Sequence, residues 1–77
     1  MRFFLFFMKL KINGENIEVL RSATVKELLD ELKIEPGRVA VEVNLSVIKK
    51  SDYENIRLSD GDNVEIVNFV GGGKYDE

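Results

Sequence analysis

Asn13-Gly14 is the pair of residues that most constrains the fold, because it separates two short segments with strand-like patterns. Residues 8–12 are Met-Lys-Leu-Lys-Ile, and this alternation of apolar and charged residues is typical of a strand with one buried face. Asparagine and glycine tolerate the positive φ angles of a two-residue turn. The pair therefore predicts a β-hairpin whose second strand is Ile17-Glu18-Val19.

An amphipathic helix is predicted after the hairpin. Residues 24–27 have the form of a capping box, in which a threonine and a glutamate three positions later bond each other's backbone N–H groups. Beyond Thr24, apolar residues recur at helical spacing, and we assign them to the core: Val25, Leu28, Leu29 and Leu32. The helix is expected to end near Lys33, ahead of Pro36-Gly37.

The rest of the chain is rich in strand and turn signals. The predicted segments are a strand at 39–43, a turn at 44–45, a short strand at 47–48, an irregular segment at 51–56, a turn at 59–62 and a last strand at 63–69. The order ββ-α-β(β)-β predicts an α+β fold, with a mixed sheet of four or five strands and the main helix packed on one face.

Strand alternation assigns each side chain to one face of this sheet, of which one helix covers only one. The face predicted to be covered contains Met8, Leu10, Ile12, Ile17, Val19, Val39, Val41, Val43, Val64 and Ile66. The uncovered face is predicted to contain Leu20, Ala40, Val67 and Phe69. Since Val67, Phe69 and Val70 closely precede three consecutive glycines, we predict that they form a docking surface for a partner.

Composition argues against chemistry carried out by this chain itself. With no cysteine and no histidine, it lacks disulfides, thiolate metal sites, a cysteine nucleophile and the commonest general base. Asp60-Gly61-Asp62 lacks the spaced ligands of a calcium loop, so we interpret it as a turn. A net charge of −3 without a basic stripe argues against a nucleic-acid partner and favours a protein with a basic face.

Gly71-Gly72-Gly73 follows the last predicted strand, with residues 74–77 beyond it. The glycines are either an idle tail or a strip of backbone that enters a narrow channel in a partner. Without Cβ atoms the strip fits where other residues would not, and extended backbone offers hydrogen bonds to the partner. Because catalytic groups are lacking elsewhere, we favour the second interpretation, in which a terminal carboxyl group is activated by adenylation.

Residues 1–7 (Met-Arg-Phe-Phe-Leu-Phe-Phe) contain four of the five phenylalanines. This apolar run is far shorter than a membrane span and about half a signal-peptide core, so we expect no membrane partner. In one interpretation Met8 is the natural start and residues 1–7 are an apolar extension that is not native. In the other, they prolong the first strand and pack against the sheet or a second copy.

Residues 8–73 resemble the sulfur carriers of thiamine biosynthesis, a ThiS-like group within the ubiquitin-like β-grasp superfamily. The resemblance rests on five stretches in order: residues 8–15, 24–29, 39–44 (Val-Ala-Val-Glu-Val-Asn), 58–62, and 64–67 leading into 70–73. It implies a β-grasp domain over residues 8–70 and a flexible glycine-rich tail over residues 71–77.

The resemblance also implies which residue carries the sulfur. The Gly73 carboxylate would be adenylated and converted to a thiocarboxylate, while Gly71 and Gly72 occupy the partner's channel. The implied partners are a ubiquitin-activating-type adenylyltransferase that uses ATP and Mg²⁺, a cysteine-desulfurase relay and thiazole synthase. The chain itself would be no enzyme and bind no cofactor. Family members end at the glycine pair, so residues 74–77 imply either a processing protease or a chain that is not a working carrier.

Three alternative functions stay open. The first is a sulfur carrier for molybdopterin synthesis, which the short stretch between helix and last strand does not favour. The second is a ubiquitin-like modifier that is joined to lysines, and the third is a β-grasp binding module with an inactive tail. The absence of cysteine suits a reducing compartment, and we expect the protein in the cytoplasm.

Overall fold

In the computed structural model, the described residues are 7–20 and 23–68. Within them the elements are β1 (Phe7–Ile12), β2 (Glu15–Leu20), α1 (Val25–Glu31), β3 (Val39–Val43), β4 (Ser46–Ile48) and β5 (Asn63–Asn68), with short 3₁₀ turns at Pro36–Arg38 and Lys50–Asp52. The five strands form one sheet in the order β2-β1-β5-β3-β4. β1 and β5 are parallel, whereas the other neighbouring strands are antiparallel. The predicted α+β fold with a mixed sheet is confirmed.

Both hairpins turn through asparagine in the left-handed region. Asn13 has φ 50° and Gly14 has φ 85°, as a type I′ turn requires, so the predicted first hairpin is confirmed. β1 begins at Phe7, the last residue of the apolar extension, in agreement at this one position with the interpretation that the extension prolongs the first strand. β2 spans Glu15–Leu20 and is longer than the predicted 17–19. The β3–β4 turn repeats this geometry with Asn44 at φ 51° and Leu45 at φ 74°, where glycine would be the easier residue.

The capping box at the start of α1 is confirmed. The Thr24 hydroxyl accepts the Glu27 N–H at 3.1 Å, and the Glu27 carboxylate accepts the Thr24 N–H at 3.2 Å. α1 ends at Glu31, two residues before the predicted end. Lys33 then takes a left-handed conformation, and the following N–H of Ile34 bonds the Leu29 carbonyl at 2.8 Å. This is a Schellman ending, and it satisfies carbonyls that the last helical turn would leave unpaired.

The core lies between α1 and one face of the sheet. Its buried side chains are Leu10, Ile12, Val19, Val25, Leu28, Leu29, Val39, Val41, Val43, Tyr53, Leu58, Val64 and Ile66. All the strand residues predicted for the covered face are buried or half-buried. Leu58, which directly precedes the predicted turn at 59–62, is also buried, and its N–H bonds the Ala23 carbonyl beside the helix start.

We call the sheet face opposite α1 the outer face. Strand alternation and pairing place Lys9, Lys11, Glu18, Leu20, Ala40, Glu42, Val47, Glu65 and Val67 on it. The outer-face prediction is confirmed for Leu20 and Val67, which are exposed, and for the half-buried Ala40. Phe69 lies outside the described residues, as do residues 1–6 of the apolar extension.

Candidate functional site

β5 is the element that leads to the three glycines, so its end positions the predicted site. On one side it pairs with β3, in the antiparallel register Ala40 to Val67 and Val39 to Asn68. On the other side its parallel pairing with β1 covers only Asn63 and Val64. The second half of β5 therefore extends past the pairing with β1.

Asn13 continues the bonding of β5 where the β1 pairing stops. Its backbone N–H donates to the Val64 carbonyl at 2.9 Å. Its side-chain Nδ2 donates to the Ile66 carbonyl at 3.1 Å, and its Oδ1 accepts the Ile66 N–H at 2.8 Å. A carboxamide has both a donor and an acceptor, so here it substitutes for the peptide group of a neighbouring strand. β5 is thus hydrogen bonded on both edges as far as Ile66.

The start of β5 is held by the asparagine of the other hairpin turn. Asn44 Oδ1 accepts the Asn63 N–H at 3.0 Å, and its Nδ2 donates to the Asp62 carboxylate at 3.0 Å. The same carboxylate accepts the Ser59 N–H at 2.7 Å. Asp60 accepts the Lys9 N–H, also at 2.7 Å. Both aspartates therefore hold the turn that feeds β5, which is the role that the sequence predicted for this segment.

Val67 is the member of the predicted docking surface that the structure describes. Its side chain is 58% exposed on the outer face, directly across from half-buried Ala40. Phe69 and Val70 lie outside the described residues, and so do Gly71, Gly72 and Gly73. The docking role of these residues therefore stays a prediction.

Carboxylates lie next to Val67 on the same face. Glu65 is two residues earlier on β5, and its Cα partner on β3 is Glu42. Two like charges directly opposite each other destabilise a sheet. Together with Val67, this pair gives the outer face an apolar position bordered by negative charge.

The sequence did not reveal the second role of the two turn asparagines. Asn13 and Ile66 are 53 positions apart, and only the parallel register of β1 and β5 brings them together. In residues 7–20 and 23–68, no group of three or more aspartates and glutamates is placed to hold a metal ion. Nor does this part of the chain contain a helix long and apolar enough to cross a membrane.

Comparison with known proteins gives one consistent family. The model of the ThiS family matches residues 10–73. The sulfur carrier protein ThiS of Bacillus subtilis (strain 168) is 38% identical over 65 residues, which are 83% of this chain and 98% of that protein. The crystal structure of the thiamine biosynthesis protein ThiS from Geobacter metallireducens matches with a TM-score of 0.74 and 38% identity, covering 86% of this chain and 100% of that one.

Two longer relatives are named thiazole synthase and not sulfur carrier protein. A thiazole synthase of Paramagnetospirillum magneticum is 50% identical over 66 residues, which are 86% of this chain and 20% of that protein. A second thiazole synthase, from Magnetococcus marinus, is 37% identical over 68 residues. The chain spans about a fifth of the length of these two relatives.

Proposed function

Because the chain belongs to the ThiS family, the sulfur carriers of thiamine biosynthesis, we propose that the Gly73 carboxylate is the group on which sulfur is loaded. The observation that carries the proposal is the extent of the family match, which runs from residue 10 to residue 73 and so includes all three glycines. The fold is the ubiquitin-like β-grasp of the Geobacter ThiS structure.

The proposed chemistry has two steps, and the partner enzymes supply the catalytic groups. A Gly73 carboxylate oxygen attacks the α-phosphorus of ATP, and pyrophosphate leaves. In the second step the terminal sulfur of a persulfide on the cysteine-desulfurase relay displaces AMP, and a thiol reductant cleaves the S–S bond of the resulting acyl disulfide, which leaves a thiocarboxylate on Gly73 and a free thiol on the relay. A ubiquitin-activating-type adenylyltransferase would bind the ATP and Mg²⁺. This chain contributes the carboxylate, with Gly71 and Gly72 as a strip thin enough for the partner's channel.

The outer face supports docking beside that strip. Val67 presents apolar surface, and Glu42 and Glu65 place negative charge on one side of it. A complementary partner would present an apolar spot with lysine or arginine on one side of it. We propose that Phe69 and Val70 belong to the same contact, since they continue the chain from Val67 toward the glycines.

Thiazole synthase is the proposed acceptor of the sulfur. Two proteins of that name contain a segment similar to more than four-fifths of this chain. A carrier-like segment within a longer thiazole synthase supports direct transfer between the two, and it favours the thiamine pathway over molybdopterin synthesis. The absence of cysteine from all 77 residues suits the reducing conditions of the cytoplasm, where we propose that the carrier works.

Residues 74–77 have to be removed before Gly73 has a free carboxylate. We propose that a processing protease cleaves the bond between Gly73 and Lys74. The proposal is tested by ATP–pyrophosphate exchange with a cognate adenylyltransferase and three proteins: the full chain, the chain ending at Gly73 and the chain ending at Gly72. Exchange with only the Gly73 form is expected, because shortening by one glycine withdraws the carboxylate from the nucleotide.

Two results would count against this function. Absence of exchange with the Gly73 form would remove the carrier role, and equal exchange with the full chain would show that Gly73 is not the activated residue. A Gly72→Ala variant of the Gly73 form tests the channel separately. Its added Cβ should slow exchange while the melting temperature stays unchanged.

A further inference from the structure

The geometry points to Asn13 as a positioning residue for the glycine strip, an inference that rests on the proposed function of that strip. β1 ends at Ile12, and the chain turns toward β2 at Asn13. The backbone of β1 therefore leaves the edge of β5 three positions before Val67. The Asn13 side chain takes over this edge by bonding the N–H and the carbonyl of Ile66 at 2.8 and 3.1 Å.

Only asparagine meets the two demands on this position. The φ angle of 50° at Asn13 is one that asparagine and glycine adopt readily and most residues do not. The contact with Ile66 needs one donor and one acceptor at the end of a short side chain. Glycine would keep the turn and remove the contact, while aspartate would keep an acceptor for the Ile66 N–H and place a second oxygen against the Ile66 carbonyl.

The position of the Asn13–Ile66 contact near the end of β5 determines how it affects the glycine strip. The two bonds between Asn13 and Ile66 are part-buried, so without the carboxamide the Ile66 N–H and carbonyl would lose partners that water replaces only incompletely. From Ile66, only residues 67–70 separate this anchored point from Gly71. The carboxamide thus fixes the last described point at which both edges of β5 are bonded, because beyond it β5 is paired with β3 alone, at Val67 and Asn68. With this second edge released, the end of β5 would be less restrained and the Gly73 carboxylate would reach the nucleotide in more directions.

The second hairpin turn offers a matched control. Asn44 has φ 51°, forms the same kind of turn and also bonds β5 through its carboxamide, but at Asn63, the first residue of the strand. Asn44→Gly removes two side-chain hydrogen bonds, as Asn13→Gly does. Loss of stability alone would affect both variants, whereas loss of strip positioning would affect only Asn13→Gly.

The first test is amide hydrogen exchange measured by NMR on the full chain. In Asn13→Gly the Ile66 N–H should exchange about tenfold faster or more, relative to the Lys11 N–H, which bonds the Asp62 carbonyl in the same pairing at 2.9 Å. In Asn44→Gly this ratio should stay as in the parent. An unchanged ratio in Asn13→Gly would overturn the assignment, independently of the result of the ATP–pyrophosphate exchange assay.

The second test is ATP–pyrophosphate exchange with each variant ending at Gly73, at a temperature where circular dichroism shows all of them folded. Asn13→Gly should lose about tenfold or more in kcat while the parent and Asn44→Gly react alike, because misdirection of a reacting group slows the step itself. The kcat of Asn13→Asp should lie between those of the parent and of Asn13→Gly. Equal kcat values for parent and Asn13→Gly would refute the inference, whereas an inactive parent would instead refute the proposed function.

Discussion

Glu42 on β3 and Glu65 on β5 are Cα partners, so their two carboxylates lie side by side on the outer face. Glu65 is two residues before Val67 on the same strand. Such a pair destabilises the isolated sheet by a fraction of a kcal/mol, and a basic partner surface would relieve it. Glu65→Gln is therefore expected to raise the free energy of unfolding by about 0.2–1 kcal/mol. It should also slow association with the adenylyltransferase at low salt.

Glu18→Gln is the matched control for this charge effect. Glu18 is on the same face, but its Cα partner is Lys9, a residue of opposite charge. Loss of that attraction should lower stability slightly, the reverse of the change at Glu65. Urea unfolding measures the direction in which each variant changes the free energy of unfolding. A loss of stability in Glu65→Gln would show that the Glu42–Glu65 pair is not repulsive.

Val67→Lys tests the docking surface. Val67 is 58% exposed, so the substitution should change the free energy of unfolding by no more than about 0.5 kcal/mol. Binding to the adenylyltransferase, measured by calorimetry, should weaken about tenfold or more, because an apolar contact is replaced by a charge that must be desolvated. Val47→Lys is the control, since Val47 lies on the same face with 61% exposure but on β4, which β3 separates from β5. Equal weakening by both variants would show that the contact is not centred beside the glycines.

Leu29→Ala tests the core under α1. Leu29 is fully buried, and its truncation should cost about 2–5 kcal/mol, a large share of the stability of so small a domain. Leu45→Ala removes the same atoms at a site that is 81% exposed, and it should leave the unfolding midpoint almost unchanged. Similar costs at the two positions, measured by chemical denaturation, would mean that the assigned core is wrong.

Leu45→Gly is expected to stabilise the protein. Leu45 has φ 74° at the second position of a type I′ turn, where its Cβ is crowded and glycine is preferred. Its side chain is mostly in solvent, so little packing is lost. Relief of the strain, less the extra chain entropy of glycine, should raise the free energy of unfolding by about 0.5–1 kcal/mol. A lower melting temperature for Leu45→Gly would show that the leucine side chain is held by a contact.

Local signals in the sequence predicted most of the fold. The Asn13-Gly14 turn and the Thr24–Glu27 capping box depend on residues within four positions of one another, and the structure confirms both. Alternation also assigned Val67 to the outer face correctly. These features could be predicted because their geometry is set by neighbours along the chain.

Contacts between distant segments could not be predicted in the same way. The bonds from Asn13 to Ile66 and from Asn44 to Asn63 depend on the register of whole strands, which a turn motif does not encode. Leu58 directly precedes a predicted turn, and it is buried where the chain passes beside the start of α1. At the candidate site, the glycines were found from composition and order alone, and Gly71, Gly72 and Gly73 lie outside the described residues.

Intact-mass spectrometry measures directly whether Gly73 carries the sulfur. The chain ending at Gly73 is incubated with a cognate adenylyltransferase, ATP and a desulfurase with cysteine, beside the full chain as control. The Gly73 form should gain the mass difference between one sulfur and one oxygen, located by fragmentation at its C-terminal residue, while the full chain should keep its mass. An unchanged mass for the Gly73 form, under conditions in which the Bacillus subtilis sulfur carrier gains this mass, would show that Gly73 does not carry the sulfur.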